Sequence, residues 1–225
     1  MRVPLTKYGL PQLVLLPAAV LALMVLLFLC PLGNGRLFGE IPLFFIFIWM
    51  LWFFRDPERT ITGDETVLYS PADGTITDIS GVETGDLGEK ALRIGMFLSI
   101  FSVHLNRAPC TVQIESITYK KGAFKNAMSS ESGRINESND ILMKRLSHPF
   151  DKLMVRQISG AIARHIVCAA KIGETYKQGE PFGMIKFGSR TELYLPVNSG
   201  AQYEVAVKIG DKVHAGVSPL VRYRV

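Results

Sequence analysis

Two long apolar runs near the N-terminus constrain the fold of this chain most strongly. Residues 10–31 read LPQLVLLPAAVLALMVLLFLCP and carry no charge, and they exceed the roughly 20 residues that an α-helix needs to cross a bilayer. Residues 41–54, IPLFFIFIWMLWFF, form a shorter run with aromatic residues crowded at its end. A connector rich in turn-forming residues separates the two runs. The pattern predicts a hydrophobic helical hairpin over residues 1–54 that anchors the chain to a membrane.

Two arrangements of this hairpin fit the sequence. In the first, the hairpin spans the bilayer. In the second, it dips into one leaflet, which the short second run and its Pro42 allow. Arg2 and Lys7 precede the runs, and Arg55 and Arg59 follow them. The positive-inside rule therefore places both ends, and the domain that follows, on the cytoplasmic side of the cell membrane. A cleaved signal peptide is disfavoured, because the first run is too long and a second run comes next.

From residue 55 onward the composition is that of an ordinary water-soluble domain. Short segments rich in Val, Ile, Tyr and Thr alternate with Gly and Pro. This pattern predicts a mainly β fold, a flattened β-barrel or β-sandwich, over residues 55–225. The predicted strands are 75–79, 91–97, 111–119, 153–158, 184–187, 192–195 and 218–223. Residues 131–140, ESGRINESND, are polar and predict a mobile loop. Residues 158–168 fit either a short helix or a strand-turn-strand.

Net charge and cysteine content narrow the class of partner. The formal net charge is +5 and the pI is near 9.1. The sequence has no dense Lys/Arg run, RNA-binding aromatic motif or zinc-ligand spacing, so neither nucleic acid nor a metal is expected as a partner. Beside an apolar anchor, the positive charge indicates attraction to an anionic membrane surface. Cys30, Cys110 and Cys168 are odd in number and widely spaced, which excludes a disulfide framework.

Three short motifs carry the candidate chemistry. They are SPADG at residues 70–74, FSVHLNRAP at residues 101–109 and FGSR at residues 187–190. Each is common when taken alone, because Asp-Gly and Gly-Ser pairs occur in many turns. A lone histidine in a β-rich segment is also more often structural than catalytic. The informative feature is that the three motifs occur together and in this order.

With these motifs the chain resembles the phosphatidylserine decarboxylases, in particular their short bacterial and archaeal form. The resemblance covers nearly the full length. It includes the apolar hairpin, the exit segment FFRDPER at residues 53–59 and the segment RQISGAIARHIVC at residues 156–168. It implies a carboxy-lyase that converts phosphatidylserine, a phospholipid substrate, to phosphatidylethanolamine at the membrane.

The resemblance further implies a proenzyme that cuts itself between Gly188 and Ser189. The Ser189 hydroxyl would attack the Gly188 carbonyl, with His104 as the base and Asp73 orienting the histidine. Elimination and hydrolysis would leave a β chain of residues 1–188, an α chain of residues 189–225 and a covalent pyruvoyl cofactor made from Ser189. The substrate amine would form a Schiff base with this cofactor, and no metal would take part.

One position departs from the longer bacterial members of this family. Those members carry a second histidine three residues after the first, where this chain has Arg107. An arginine cannot exchange protons near neutral pH. Arg107 is therefore expected either to bind the substrate carboxylate or phosphate or to form a structural ion pair. Arg190 is a second, weaker candidate for substrate binding.

Two other interpretations stay open. The same chemistry could act on an archaetidylserine-type lipid with ether-linked tails, because the motifs relate to the serine headgroup and not to the tails. Alternatively, the chain is a non-catalytic, membrane-tethered β module in which the set of motifs is accidental. The sequence also leaves open whether the protein forms a homo-oligomer.

Overall fold

The computed structural model describes residues 5–31, 33–88, 90–129, 131–161, 165–186, 188–197 and 202–224. The chain divides into two compact units, Met1–Glu58 and Arg59–Val225. The first unit is helical and the second is built mainly of β-strands.

The first unit is a pair of apolar helices. Helix α1 spans Leu10–Leu29 and helix α2 spans Leu37–Phe53, and the short 3₁₀ turns Lys7–Gly9 and Gly33–Arg36 precede them. With these turns included, both helices are long and apolar enough to cross a membrane, by length and composition alone. The predicted hydrophobic hairpin is thus confirmed as a pair of apolar helices. The spanning and the dipping arrangement both stay predictions.

Aromatic residues and one cation surround the end of α2. Phe53 and Phe54 are buried and meet edge to face, with 5.1 Å between ring centroids. The Arg55 guanidinium lies 3.4 Å from the centroid of the Trp52 ring. The backbone N–H of Thr6 donates a 2.9 Å hydrogen bond to the carbonyl of Phe54. Both ends of the helical pair are therefore held together, and aromatic rings beside a cation are typical of the lipid headgroup layer.

The second unit contains fourteen strands among its described residues. The strands are β1 (Val67–Tyr69), β2 (Gly74–Val82), β3 (Ala91–Leu98), β4 (Leu105–Arg107), β5 (Val112–Lys120), β6 (Ser138–Arg145), β7 (Lys152–Ile158), β8 (Ile166–Cys168), β9 (Thr175–Tyr176), β10 (Pro181–Ile185), β11 (Ser189–Pro196), β12 (Tyr203–Val205), β13 (Lys212–Val213) and β14 (Pro219–Tyr223). A four-residue helix, α3 (Ser132–Ile135), precedes β6.

These strands form three sheets. An eight-stranded sheet has the order β13-β2-β3-β11-β7-β6-β5-β9, and two three-stranded sheets have the orders β1-β14-β12 and β4-β10-β8. The pairings within them are antiparallel. The large sheet curls into a half-barrel, which confirms the prediction of a mainly β, barrel-like fold.

The seven predicted strands all overlap observed strands, but the predicted loop over residues 131–140 is wrong. That segment forms α3 and the start of β6, which pairs with β5 on one side and β7 on the other. In the 158–168 segment, β7 ends at Ile158 and β8 begins at Ile166, which favours the strand-turn-strand alternative. Residues 162–164 of that segment lie outside the described residues.

Strand β11 occupies the centre of the large sheet. It pairs with β3 along its whole length and with β7 over residues 190–194, and all eight of its residues are buried. Alternation along the strand directs Leu193 and Leu195 into the main apolar core. The opposite face of the strand carries Arg190, Glu192 and Tyr194, so this face is buried with ionic partners rather than with apolar ones.

Paired charges continue on that same face across the neighbouring strands. Asp140 on β6 lies opposite Arg156 on β7 and accepts a 2.8 Å hydrogen bond from its Nη2 atom. Lys120 Nζ donates a 2.7 Å hydrogen bond to the same carboxylate. Burial raises the pKa of Asp140, but the hydrogen bonds from Arg156 and Lys120 outweigh burial and hold the pKa below its usual value. These partners explain why a polar segment forms a buried strand.

Asp140→Asn is expected to destabilise the protein by about 3 kcal/mol, because it removes the buried carboxylate that pairs with the half-buried Arg156 guanidinium. The folded-state pKa of Asp140 lies below the unfolded value. Its contribution is therefore present above the unfolded pKa and is lost as the pH falls through the folded-state pKa. Wild-type protein should consequently lose more stability than the variant on acidification below about pH 5.

The thermal denaturation midpoint of the detergent-solubilised full chain, measured across a pH series, checks this expectation. Asp86→Asn is the matched control, because Asp86 is exposed and its replacement should change stability by no more than about 0.5 kcal/mol. If the denaturation midpoints of wild type and Asp140→Asn depend equally on pH, Asp140 is not the source of this acid sensitivity.

Candidate active site

The predicted cleavage site lies where β11 begins. Ser189 is the first residue of β11 and is fully buried. Its Oγ atom has no hydrogen-bond partner within the described part of the chain. Gly188 has a φ of 67°, in the left-handed region that glycine adopts without the steric cost of a Cβ. A buried hydroxyl without a partner is uncommon in folded proteins, and here it lies next to a left-handed glycine.

His104 faces the same stretch of backbone. Its Nε2 atom accepts a 3.2 Å hydrogen bond from the backbone N–H of Gly188, and its Nδ1 atom lies 2.9 Å from the carbonyl oxygen of Ser102. A carbonyl oxygen can only accept a hydrogen bond, so Nδ1 carries the proton and Nε2 is the basic nitrogen. The imidazole is fully buried. The lone pair that a general base requires therefore points at the residue that precedes Ser189.

A buried series of polar side chains joins the segments that carry His104 and Ser189. Alternation places Ser189 and Thr191 on the same face of β11. Thr191 Oγ1 accepts a 2.9 Å hydrogen bond from Asn106 Nδ2 on β4, and Asn106 Oδ1 accepts one of 2.9 Å from Gln157 Nε2 on β7. Asn106 lies two residues after His104, and Thr191 lies two residues after Ser189. The hydrogen bond between Asn106 and Thr191 therefore brings the segments of the two candidate catalytic residues together.

A third backbone segment closes around Gly188. A Cβ at Gly160 would overlap the carbonyl oxygen of Gly188 and would lie 3.3 Å from the Cβ of Ala127. Only glycine allows this close approach. A cavity of about 260 Å³ adjoins the contact, and its lining is mostly apolar. The lining residues are Phe97, Ser99, Ile100, Asn126, Ala127, Ala161 and Gly188.

Asp73 belongs to an ionic cluster. Its Oδ2 atom lies 2.7 Å from Arg59 Nη2 and 3.3 Å from His214 Nδ1. Its Oδ1 atom accepts a 2.8 Å hydrogen bond from the N–H of Ala215. The described hydrogen bonds of Asp73 thus tie the SPADG turn to Arg59 and to residues 214–215, whereas the described bond at His104 Nδ1 goes to a backbone carbonyl. The orienting role of Asp73 stays a prediction.

The two arginines predicted to bind substrate have different surroundings. Arg107 is buried, and its Nη1 atom donates a 2.8 Å hydrogen bond to the carbonyl of Gly179. Arg190 is fully buried on the face of β11 opposite Ser189. Its guanidinium donates to Thr77, Asp78 and Glu192. These contacts indicate a structural role for Arg190, and both substrate-binding roles stay predictions.

Two residues of this neighbourhood, Gly160 and Lys186, are not among the site residues predicted from the sequence. The place of Gly160 in the segment 156–168 was the available signal, but its close contact with Gly188 exists only in the folded chain. Lys186 is 4% exposed, and burial lowers the pKa of its ammonium group. Phe187, which belongs to the predicted FGSR motif, lies outside the described residues. Among the described residues no group of three or more His, Cys, Asp or Glu side chains could hold a metal ion.

Comparison with known proteins finds relatives that match between 78% and 98% of the chain. A family model described as phosphatidylserine decarboxylase matches residues 46–220. The chain is 43% identical over 182 residues to the phosphatidylserine decarboxylase proenzyme of Carboxydothermus hydrogenoformans, which covers 80% of this chain and 83% of the relative. It is 36% identical over 223 residues to the protein of that name from Rhodopirellula baltica, which covers 98% of this chain and 89% of the relative. The Pelagibacter ubique protein of the same name is 40% identical over 179 residues, 78% of this chain and 80% of the relative.

Proposed function

This chain belongs to the phosphatidylserine decarboxylase family of enzymes, and from that premise we propose that it is a proenzyme that cuts itself between Gly188 and Ser189. The processed enzyme then converts phosphatidylserine to phosphatidylethanolamine and CO₂. The observation that carries this proposal is the buried Ser189 hydroxyl beside a left-handed glycine, with the basic nitrogen of His104 within 3.2 Å of that glycine's N–H.

The proposed self-cleavage needs no external oxidant or reductant. Ser189 Oγ attacks the carbonyl carbon of Gly188, while His104 Nε2 accepts the hydroxyl proton. The C–N bond breaks and the amine takes up a proton, so the acyl group of Gly188 moves from nitrogen to oxygen. Loss of the Ser189 Cα proton then expels the Gly188 carboxylate. Water converts the remaining nitrogen-bearing carbon to a ketone with release of ammonia.

The surrounding residues fit a pyruvoyl group at the new end of β11. A small ketone replaces a serine side chain there, and the pairing of β11 with β3 and β7 keeps the chain end in place. The chemistry that such a group supplies is that of an electrophile, which takes up the substrate amine and accepts the electron pair that CO₂ leaves behind. His104 would return a proton to the substrate α-carbon. The mostly apolar cavity beside Gly188 would limit the access of water.

The size of the cavity fits a lipid substrate of which only the headgroup enters. Its volume of about 260 Å³ is below the roughly 300–1,000 Å³ of pockets that enclose drug-sized ligands. It therefore accepts a serine headgroup and leaves both tails outside. Ester-linked and ether-linked tails are treated alike by such a site, so an archaetidylserine-type lipid stays the alternative substrate. Arg107 stays a candidate for binding the anionic headgroup, as a bidentate donor.

We place the enzyme at the cell membrane, with α1 and α2 as the anchor. Two helices long and apolar enough to cross a membrane support this placement. The distribution of lysine and arginine around them puts the catalytic unit on the cytoplasmic side. A surface-bound enzyme searches for an insoluble lipid along the membrane instead of through solution, which raises the effective substrate concentration.

Wild-type protein is expected to run as two fragments on denaturing electrophoresis, because cutting after residue 188 of 225 leaves 37 residues. The small fragment should be blocked to Edman sequencing, since its first residue carries a ketone. Ser189→Ala should remain one chain of 25.0 kDa without decarboxylase activity, because both the nucleophile and the cofactor precursor are missing. Ser116→Ala, on β5, is the control and should cut normally. Fully active enzyme in one intact chain would contradict the proposal, and an intact, inactive wild type would favour the non-catalytic β module.

His104→Ala is expected to slow cutting by about 10²-fold or more, because a positioned general base contributes roughly 10²–10⁴-fold. The time course of fragment appearance after synthesis measures this rate. His148→Ala should cut at the wild-type rate, since His148 is exposed on the loop between β6 and β7. Normal cutting of the His104 variant would remove the base assignment and leave the family membership untouched.

Gly160→Ala is expected to block or greatly slow cutting, because its Cβ would overlap the Gly188 carbonyl oxygen and displace the bond to be cut. Gly81→Ala on β2 is the control, since a Cβ there would meet no atom within 4 Å. Thermal denaturation of both variants separates a displaced peptide from a failure to fold. A well-folded Gly160→Ala protein that cuts at the wild-type rate would show that this contact is not required.

A further inference from the structure

We propose that two apolar loops beside the cavity form a rim that inserts into the lipid surface, so that the catalytic unit contacts the membrane through its own residues as well as through α1 and α2. The rim consists of Ile100, Phe101, Phe124 and Met128. The inference rests on the proposed function, because it takes the substrate to be a membrane lipid.

The rim side chains are exposed although they are apolar. Ile100 and Phe101, which follow β3, are 37% and 61% exposed. Phe124 and Met128, which precede α3, are 38% and 56% exposed. Exposed apolar side chains that occur singly need no explanation, whereas a group around a binding cavity marks an interaction site.

Both loops adjoin the predicted cleavage site. Ile100 Cγ2 lies 3.9 Å from the position that a Cβ on Gly188 would occupy. Ala127, which precedes Met128, lies 3.3 Å from the corresponding position on Gly160. Ile100 and Ala127 also line the same cavity. Ile100 is thus part of the lining, Phe101 and Met128 each follow a lining residue, and Phe124 lies two residues before Asn126.

The second loop is braced by Asn136. Its Oδ1 atom accepts a 3.0 Å hydrogen bond from the N–H of Lys125, and its Nδ2 atom donates 2.8 Å hydrogen bonds to the carbonyls of Lys125 and Ser159. Ser159 directly precedes Gly160. These bonds fix the loop against the segment that touches Gly188, so the rim is a built part of the site.

The charge near the rim and the shape of the substrate indicate that the rim contacts the surface of a lipid bilayer. Residues 121–131 contain two lysines, Lys121 and Lys125, and one carboxylate, Glu131. A lysine near an anionic lipid surface is attracted to that surface. Apolar side chains flanked by lysines are the composition of protein surfaces that lie in a membrane interface. A cavity that admits only the headgroup also leaves the lipid tails in contact with whatever surrounds its mouth.

The rim should matter for a lipid in a bilayer and not for a lipid dissolved as a monomer. With the rim inserted, a headgroup enters the cavity while its tails remain in apolar surroundings. A short-chain serine lipid below its micelle concentration needs no such surface. The two substrates therefore separate a membrane contact from a role in the chemistry.

Phe101→Asp in the full-length enzyme, reconstituted into vesicles containing long-chain phosphatidylserine, tests the rim. The substitution removes one apolar ring from the lipid surface and places a charge there, so kcat/KM on vesicles should fall by about tenfold or more. Activity on dihexanoyl phosphatidylserine monomers should stay within about twofold of wild type, because a factor of two is under 0.5 kcal/mol. Cutting into two fragments should be unchanged.

Phe150→Asp is the matched control. Phe150 is 60% exposed, against 61% for Phe101, but it lies on the loop between β6 and β7. That loop joins β7 at Lys152, whereas Ile158, at the far end of the strand, pairs with Arg190 next to the cleavage site. At about 3.3 Å per residue the separation is roughly 20 Å. Phe150→Asp should leave both activities unchanged.

A second measurement does not depend on catalysis. The chain contains two tryptophans, Trp49 and Trp52, so a Trp49→Phe, Trp52→Phe background allows a single indole to be placed by Phe101→Trp or by Phe150→Trp. Vesicles made with brominated lipids should quench the indole at position 101 and leave the indole at position 150 close to its unquenched intensity.

Equal quenching at positions 101 and 150 would overturn the proposal that the rim inserts into the membrane. So would an equal loss of activity on vesicles and on monomers in Phe101→Asp. Wild-type protein that stays uncut and inactive while position 101 is still quenched would contradict the proposed function and support the membrane contact. Strong quenching at 101 with selective loss on vesicles would support both.

Discussion

The double pairing of β11 is the constraint on which the rest of the site depends. The strand is hydrogen-bonded to β3 and β7, and both of its faces are buried. The turn at Gly188 directly precedes this fixed strand, so the pairing sets where the Gly188–Ser189 peptide bond lies. One face of the strand is stabilised by apolar packing and the other by ion pairs that include Arg190. Loss of either set of partners would leave the position of the Gly188–Ser189 peptide bond less well defined.

The position of His104 follows from the same strand. Asn106 binds Thr191 on β11 and Gln157 on β7, so the short strand β4 is tied to the large sheet by side chains. The backbone carbonyl of Ser102 then selects the tautomer that leaves Nε2 basic. The carboxylate of Asp73, whose orienting role stays a prediction, joins three separated parts of the chain: residue 59, the SPADG turn and residues 214–215.

Local patterns predicted the helical pair and the seven strands, because apolar length and alternation are properties of a short window. They failed at residues 131–140, where Asn139 and Asp140 are polar. These residues are buried because Gln157 and Arg156 supply partners from the next strand, and a window of sequence does not contain those partners. The family resemblance selected Ser189 and His104, which the fold brings together. It gave no indication of the contact between Gly160 and Gly188, because the need for a missing Cβ is evident only once two distant loops meet.

A cut at the first residue of a central strand would change the thermodynamics of the whole protein. Residues 189–225 contain β11, β13 and β14, which pair with β3 and β7, with β2 and with β1, all of them on the other side of the cut. The two pieces would stay interlocked in the folded state, but unfolding would set them free as separate molecules. Refolding would then require an encounter between two chains, and the melting temperature would rise with protein concentration. The mature enzyme would thus be a two-chain complex whose fold forms in the single-chain precursor. It would not readily refold once its two chains have separated.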